Sequence, residues 1–117
     1  MNSKKILTTF FLLVILSMLV VTSWASAYES VFLGAKKILA EPWGLATFAD
    51  TYFAFLTFYI WVFYKQVSTV SKIIWLILIL ALGNIAMAAY VIWQIYKLPA
   101  GAPAYEILLR SNHLGKN

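Results

Sequence analysis

The chain has no cysteine. Disulfides, thiolate nucleophiles and cysteine-ligated metals are therefore excluded, and compartment cannot be read from redox usage. Histidine occurs once, as His113 in the polar tail. A metal centre needs several ligands, so no metal site and no histidine-dependent acid–base pair is expected. The five glycines are dispersed, which leaves no glycine-rich loop to cradle a phosphate. Serines and threonines are present without the base and orienting acid that would activate a nucleophile. Charge is scarce: 11% of 117 residues are Asp, Glu, Lys or Arg, where a soluble domain carries about 25%. These absences argue against an enzyme and against a bound cofactor.

In place of charge there is apolar and aromatic surface. Hydrophobic residues make up 63% of the chain and aromatics 17%. Trp and Tyr stand near the ends of the apolar runs, a placement suited to headgroup belts. The net charge is +5, from nine basic and four acidic residues. The basic groups are scattered through loops and tails. That distribution suits membrane lipids and offers no basic face for nucleic acid.

Taken in order, Met1 to Ala27 carries Lys4 and Lys5 and then an apolar run from Ile6. Ala25-Ser26-Ala27 has the form of a secretory cleavage site, but a run of about 20 residues exceeds the usual signal core of about 7 to 15. A retained transmembrane anchor is the expectation, with a cleaved signal as the alternative. Tyr28 to Glu41 is too short and too charged to span, and reads as an interfacial helix with Lys36 and Lys37 reaching toward headgroups. Pro42 suits the first turn of a second span. From Pro42 to Lys65 the chain is apolar and aromatic except for Asp50. That run, about 22 residues, exceeds the roughly 20 needed to cross the hydrocarbon core. The polar connection Gln66–Lys72 is short, so the following helix should return antiparallel. Ile73 to Tyr96, about 24 uncharged residues, reads as a third span. Pro99 to Pro103 forms an elbow, Tyr105 to Arg110 a turn or two of surface helix, and Ser111 to Asn117 a frayed end.

The expected fold is thus all-α: a three-helix transmembrane bundle with short interfacial helices. Its divisions are an N-terminal helix over 1–27, a helical hairpin with its preceding interfacial segment over 28–98, and a surface tail over 99–117. Three crossings put the C terminus opposite the N terminus. Lys/Arg counts on the two sides are nearly equal, so Lys4 and Lys5 decide the orientation: N terminus cytoplasmic, C terminus on the far side.

Asp50 is the first candidate functional residue. A carboxylate in a spanning helix costs roughly 2.5 to 3.5 kcal/mol on insertion scales, so it calls for a partner or a task. Helical spacing aligns Thr47, Asp50, Ala54, Thr57, Trp61 and Tyr64 on one face, which should point into protein. The third span offers Ala81, Gly83, Asn84, Ala86, Ala88 and Ala89 as a small-residue surface, with Asn84 and Tyr90 as candidate donors to Asp50. A structural role in helix packing is preferred over binding of a proton, cation or basic ligand, since proton relays need several titratable groups. A hydrophobic-ligand slot lined by Trp43, Tyr52, Tyr59, Trp61 and Tyr90 is a minority alternative to interface anchoring.

Pro42-Trp43, Thr47, Asp50, Tyr52, Trp61-Val62 and Tyr64-Lys65 form a recurring pattern with Trp75, Gly83, Tyr90, Gln94 and Tyr105 to Arg110. From Pro42 to about Arg110 the chain resembles the membrane-protein family known as domain of unknown function 1475, found in plants and bacteria. Gln66 departs from the pattern, which places an acid there. The resemblance implies the membrane topology and no reaction, cofactor or substrate. The expected function is that of a small multi-pass membrane protein acting by association, as a homo- or hetero-oligomer or an accessory subunit. The rivals are ion, proton or ligand transport through Asp50, and a membrane enzyme acting on a lipid or isoprenoid.

Overall fold

Two serines and a proline set where three of the helices begin. Ser30 accepts a hydrogen bond from the Leu33 amide at 3.2 Å, and Ser68 accepts one from the Ser71 amide at 3.4 Å. Each satisfies an amide that the first helical turn leaves without an intrahelical acceptor. Pro42 occupies the first turn of the longest apolar helix after the N-terminal one, where its missing N–H is not needed. In the computed structural model, which describes residues 3–110, the elements in order are α1 (Ser3–Tyr28), α2 (Val31–Ala40), α3 (Pro42–Lys65), α4 (Thr69–Leu82), α5 (Asn84–Lys97) and a short 3-10 helix (Ala104–Leu108). The described residues are all-α. The expectations for His113 and for a frayed end from Ser111 lie outside them.

The interfacial segment expected between Tyr28 and Glu41 forms α2, and the expected turn of helix after the elbow is the 3-10 helix. Two helices, α1 and α3, are long and apolar enough to cross a bilayer. The expected third span, Ile73 to Tyr96, is not continuous. It breaks at Gly83 into α4 and α5, each 14 residues long. Each is about 21 Å long at 1.5 Å per residue, short of the roughly 30 Å hydrocarbon core. The three-span bundle is therefore corrected to two span-length helices and a folded-back pair.

The break has a specific cause. Gly83 has φ +59° and ψ −124°, a conformation that side chains other than hydrogen resist. A Cβ there would lie 2.7 Å from Cζ of Phe55 on α3. The Phe55 ring fills the inside of the turn, and the chain reverses over it. The reversal brings Trp75 against Tyr90, with ring centroids 4.7 Å apart, and against Trp93 at 5.8 Å. Two tyrosines of α3 bind α4 from the side. The Tyr52 hydroxyl donates to the Leu80 carbonyl at 3.3 Å, and the Tyr59 hydroxyl to the Lys72 carbonyl at 2.7 Å. Leu80 is in the last turn of α4, so Tyr52 supplies a donor to a carbonyl the helix end leaves unpaired.

Phe55 and Val62 of α3, Ile79 of α4 and Ala86 and Tyr90 of α5 form one buried cluster. A second joins Val91, Ile95, Leu98 and Ile107, with Leu7 and Phe11 of α1 packed against it. Helix α1 thus lies along α5, and the Lys4 ammonium donates to the Pro99 carbonyl at 3.1 Å. The Lys65 ammonium donates to the Leu109 carbonyl at 2.7 Å. Residues 98–110 therefore sit at the same end of the molecule as the start of α1. This overturns the expectation that the C-terminal tail lies opposite the N terminus. Because α4 and α5 fold back on each other at Gly83, residues 98–110 return to the end of the molecule where α1 starts.

Candidate functional site

Two places hold the polar residues that could carry a function. One is the outer face of α3. Asp50 stands about 12 Å into α3 from Pro42 at 1.5 Å per residue. It is exposed and, among the described residues, has no hydrogen bond or ion pair. Its neighbours do not supply donors. Thr47 donates to the Trp43 carbonyl at 2.8 Å, Thr51 to the Thr47 carbonyl at 2.9 Å and Thr57 to the Phe53 carbonyl at 2.9 Å. These bonds run back along the helix, as threonines in apolar helices commonly do. Ala46, Thr47, Asp50, Ala54 and Thr57 are all exposed, and they share a face by their spacing of three and four.

The expectation that this face turns inward is corrected. Asn84 is exposed at the first position of α5, and Tyr90 is fully buried with its hydroxyl engaged elsewhere. Neither meets Asp50. The reason is the break at Gly83: a continuous third span would have run beside Asp50, whereas α4 turns back level with Tyr52 and Phe55. Of the expected small-residue surface, Gly83, Ala86 and Ala88 are buried, while Ala81 and Asn84 are exposed.

The aromatic residues proposed as a ligand slot are spread out. Trp43 is 84% exposed at the start of α3. Tyr52 and Tyr59 are tied to carbonyls of α4, and Trp61 packs edge-on against Tyr90 with centroids 5.5 Å apart. Trp43 and Trp61 are about 27 Å apart along the helix at 1.5 Å per residue, too far to line one small-molecule slot.

The second place is the end where α3, α5 and the tail meet, and sequence reasoning missed it. Lys65 and Gln66 are each 1% exposed and Gln94 3%. The Gln66 amide donates to the Tyr90 hydroxyl at 2.6 Å, and its carbonyl accepts from the Ser71 hydroxyl at 2.7 Å. Gln66 thus cross-links the α3–α4 connection to α5. Three donors here have no acceptor among the described residues: Nε1 of Trp61, Nε2 of Gln94 and Nε of Arg110. The available signal was the pattern Trp61, Lys65, Tyr90, Gln94 and Arg110. Periodicity could not use it, because the pattern becomes a cluster only once α4 and α5 fold back.

The family described as protein of unknown function (DUF1475) matches residues 3–115. The chain belongs to this family. The match begins within the first turn of α1, so the DUF1475 unit includes the N-terminal helix as well as the segment from Pro42 onward. No curated protein and no solved structure matches the chain. Among the described residues, neither polar place brings two carboxyl groups together. Among the described residues no group of three or more His, Cys, Asp or Glu could hold a metal ion.

Proposed function

We propose that this DUF1475 protein is a small multi-pass integral membrane protein that works by association, with the outer face of α3 as its contact surface. The observation that carries the reading is Asp50. A carboxylate about 12 Å into an apolar helix, pointing away from its own chain, is costly against lipid and calls for a donor from a neighbour. Ala46 and Ala54 flank it on the same face, and small residues allow a second helix to approach closely.

Membrane residence is supported by the exposure of the two long helices. The most apolar stretch of α1 has no buried residues and that of α3 is only 11% buried. A core helix of a water-soluble protein would hide that surface. The packing of Leu7 and Phe11 against the second cluster supports retention of α1 as an anchor.

Orientation follows from which residues share an end. Lys4, Lys5, Lys65, Lys72, Lys97 and Arg110 gather at the end holding the start of α1 and residues 98–110, with Lys36 and Lys37 at the other. The Lys/Arg rule then puts that end in the cytoplasm. The rival of transport through Asp50 would need a path between copies, because the residue lies outside the single chain.

The absence of native cysteine makes the test direct. Ala54→Cys should form a cross-linked species in bilayers, either a disulfide dimer or an adduct with one co-purifying protein. Ile77→Cys, on the exposed side of α4, should not. Asp50→Leu should weaken the association by about 1 kcal/mol, the scale of an interhelical hydrogen bond in lipid. Recovery of only the monomer from bilayers and mild detergent, with Ala54→Cys unreactive, would refute the reading.

A further inference from the structure

The end opposite the Asp50 face has many donors and few acceptors. Trp61 and Lys65 are one turn apart on α3, and Gln94 and Lys97 one turn apart on α5. Arg110 follows Leu109, whose carbonyl holds the buried Lys65 ammonium. Lys97 lies close enough to add like-charge repulsion at Lys65, and its ammonium rests 4.3 Å from the Trp93 ring centroid. The one acid at this end of the described chain, Glu106, forms no ion pair.

Lysines in the last turn of a helix are ordinarily explained by the helix dipole. That account covers the placement of Lys65 and Lys97. It does not cover the buried N–H groups of Trp61, Gln94 and Arg110, each left without an acceptor. A buried donor left unpaired costs about 1–3 kcal/mol. Two of these N–H groups and the Arg110 guanidinium, together with the Lys65 and Lys97 ammonium groups, describe a place suited to an acceptor that carries negative charge. A cleft of about 710 Å³, lined by Lys4, Leu7, Pro103, Tyr105, Ile107 and Leu108, connects to these groups through Ile107, whose cluster Trp61 packs against. Ile107 belongs both to this cleft and to the cluster under the donors.

We propose that the junction of α3, α5 and the 3-10 helix binds an anionic phosphoryl group, with Lys65, Lys97 and Arg110 supplying charge and Gln94 and Trp61 supplying N–H donors. The phosphate of a lipid headgroup and free phosphate share this chemistry. The apolar wall of the adjoining cleft would seat the glycerol and upper acyl chain of a lipid. The site is separate from the α3 face, so it can stand or fall independently of the association reading.

The full chain in a mild non-ionic detergent is titrated with phosphatidylglycerol, with phosphatidylcholine of the same acyl chains, and with inorganic phosphate, following tryptophan fluorescence and the thermal midpoint. A saturable response to phosphatidylglycerol exceeding that to phosphatidylcholine, and weakening as salt rises, supports a lipid source. A saturable response to inorganic phosphate with no further gain from phosphatidylglycerol supports a soluble one. Arg110→Gln should weaken binding about tenfold, as loss of a charged hydrogen bond does. Gln94→Leu should also weaken binding while raising the midpoint of the ligand-free protein, because it deletes an unpaired buried donor. A purely structural glutamine would lower that midpoint. Equal responses to both lipids and none to phosphate, or binding indifferent to both substitutions, would overturn the proposal.

Discussion

Tyr90 shows how much one hydroxyl can hold. Its ring meets Phe58, Trp61, Trp75 and Trp93, four aromatics from three helices. Its oxygen accepts the Gln66 amide. Replacing it by phenylalanine keeps the ring packing and removes only the acceptor. Gln66 would then be a buried donor with no partner, which costs about 1–3 kcal/mol. Tyr90→Phe should lower stability by that amount in denaturant titration, and a further Gln66→Leu should recover part of the loss. Gln66 had stood out in the sequence only as a departure from an acidic pattern. Its burial explains why an uncharged amide suits the position: it both donates to Tyr90 and accepts from Ser71. Asp50 is the opposite case, a carboxyl group that the described residues leave without a partner.

At the scale of elements, the folded-back pair α4–α5 decides the architecture. At the turn α5 starts without a side-chain cap, and Gly83 carries the reversal with Phe55 beneath it. Gly83→Ala would meet both an unfavourable backbone conformation and the ring. A loss of about 3 kcal/mol is expected from strain and overpacking together, read as a lowered unfolding midpoint. Gly83→Ala, Phe55→Ala should recover part of it by making room, while the backbone strain remains. The corner between α2 and α3 depends on a glycine for a different reason. A Cβ on Gly44 would fall within 2.1 Å of the Ile38 carbonyl oxygen, so that close crossing admits only hydrogen.

For the whole molecule, the proposed topology makes a labelling prediction. In sealed, right-side-out vesicles, single cysteines at Ser3 and Ala100 should both resist a membrane-impermeant maleimide, and a cysteine at Lys36 should react. Permeabilisation should expose the first two together. Reaction of Ala100→Cys from outside would restore the three-span arrangement. The same geometry separates the two proposed surfaces, one for association on the flank of α3 and one for anion binding at the basic end. Changes at Asp50 should leave phosphoryl binding unaltered, and changes at Arg110 should leave cross-linking through Ala54 unaltered.

The all-α class, the start of α3 at Pro42 and the span lengths of α1 and α3 were legible in the sequence by itself, whereas α4 begins at Thr69, four residues before the expected Ile73. Hydropathy and capping are local properties, summed over neighbours a few residues apart, so order along the chain suffices to read them. The fate of Gly83 was not legible, because an uncharged apolar run looks the same whether it crosses or folds back. Only the tertiary structure decided it, through the Phe55 ring packed in the turn and the Tyr52 and Tyr59 bonds to α4. From that reversal follow the outward face of Asp50, the meeting of Lys65 with Leu109, and the shared end of α1 and the tail. Each joins or parts residues far apart in sequence, and periodicity carries no information about such pairs.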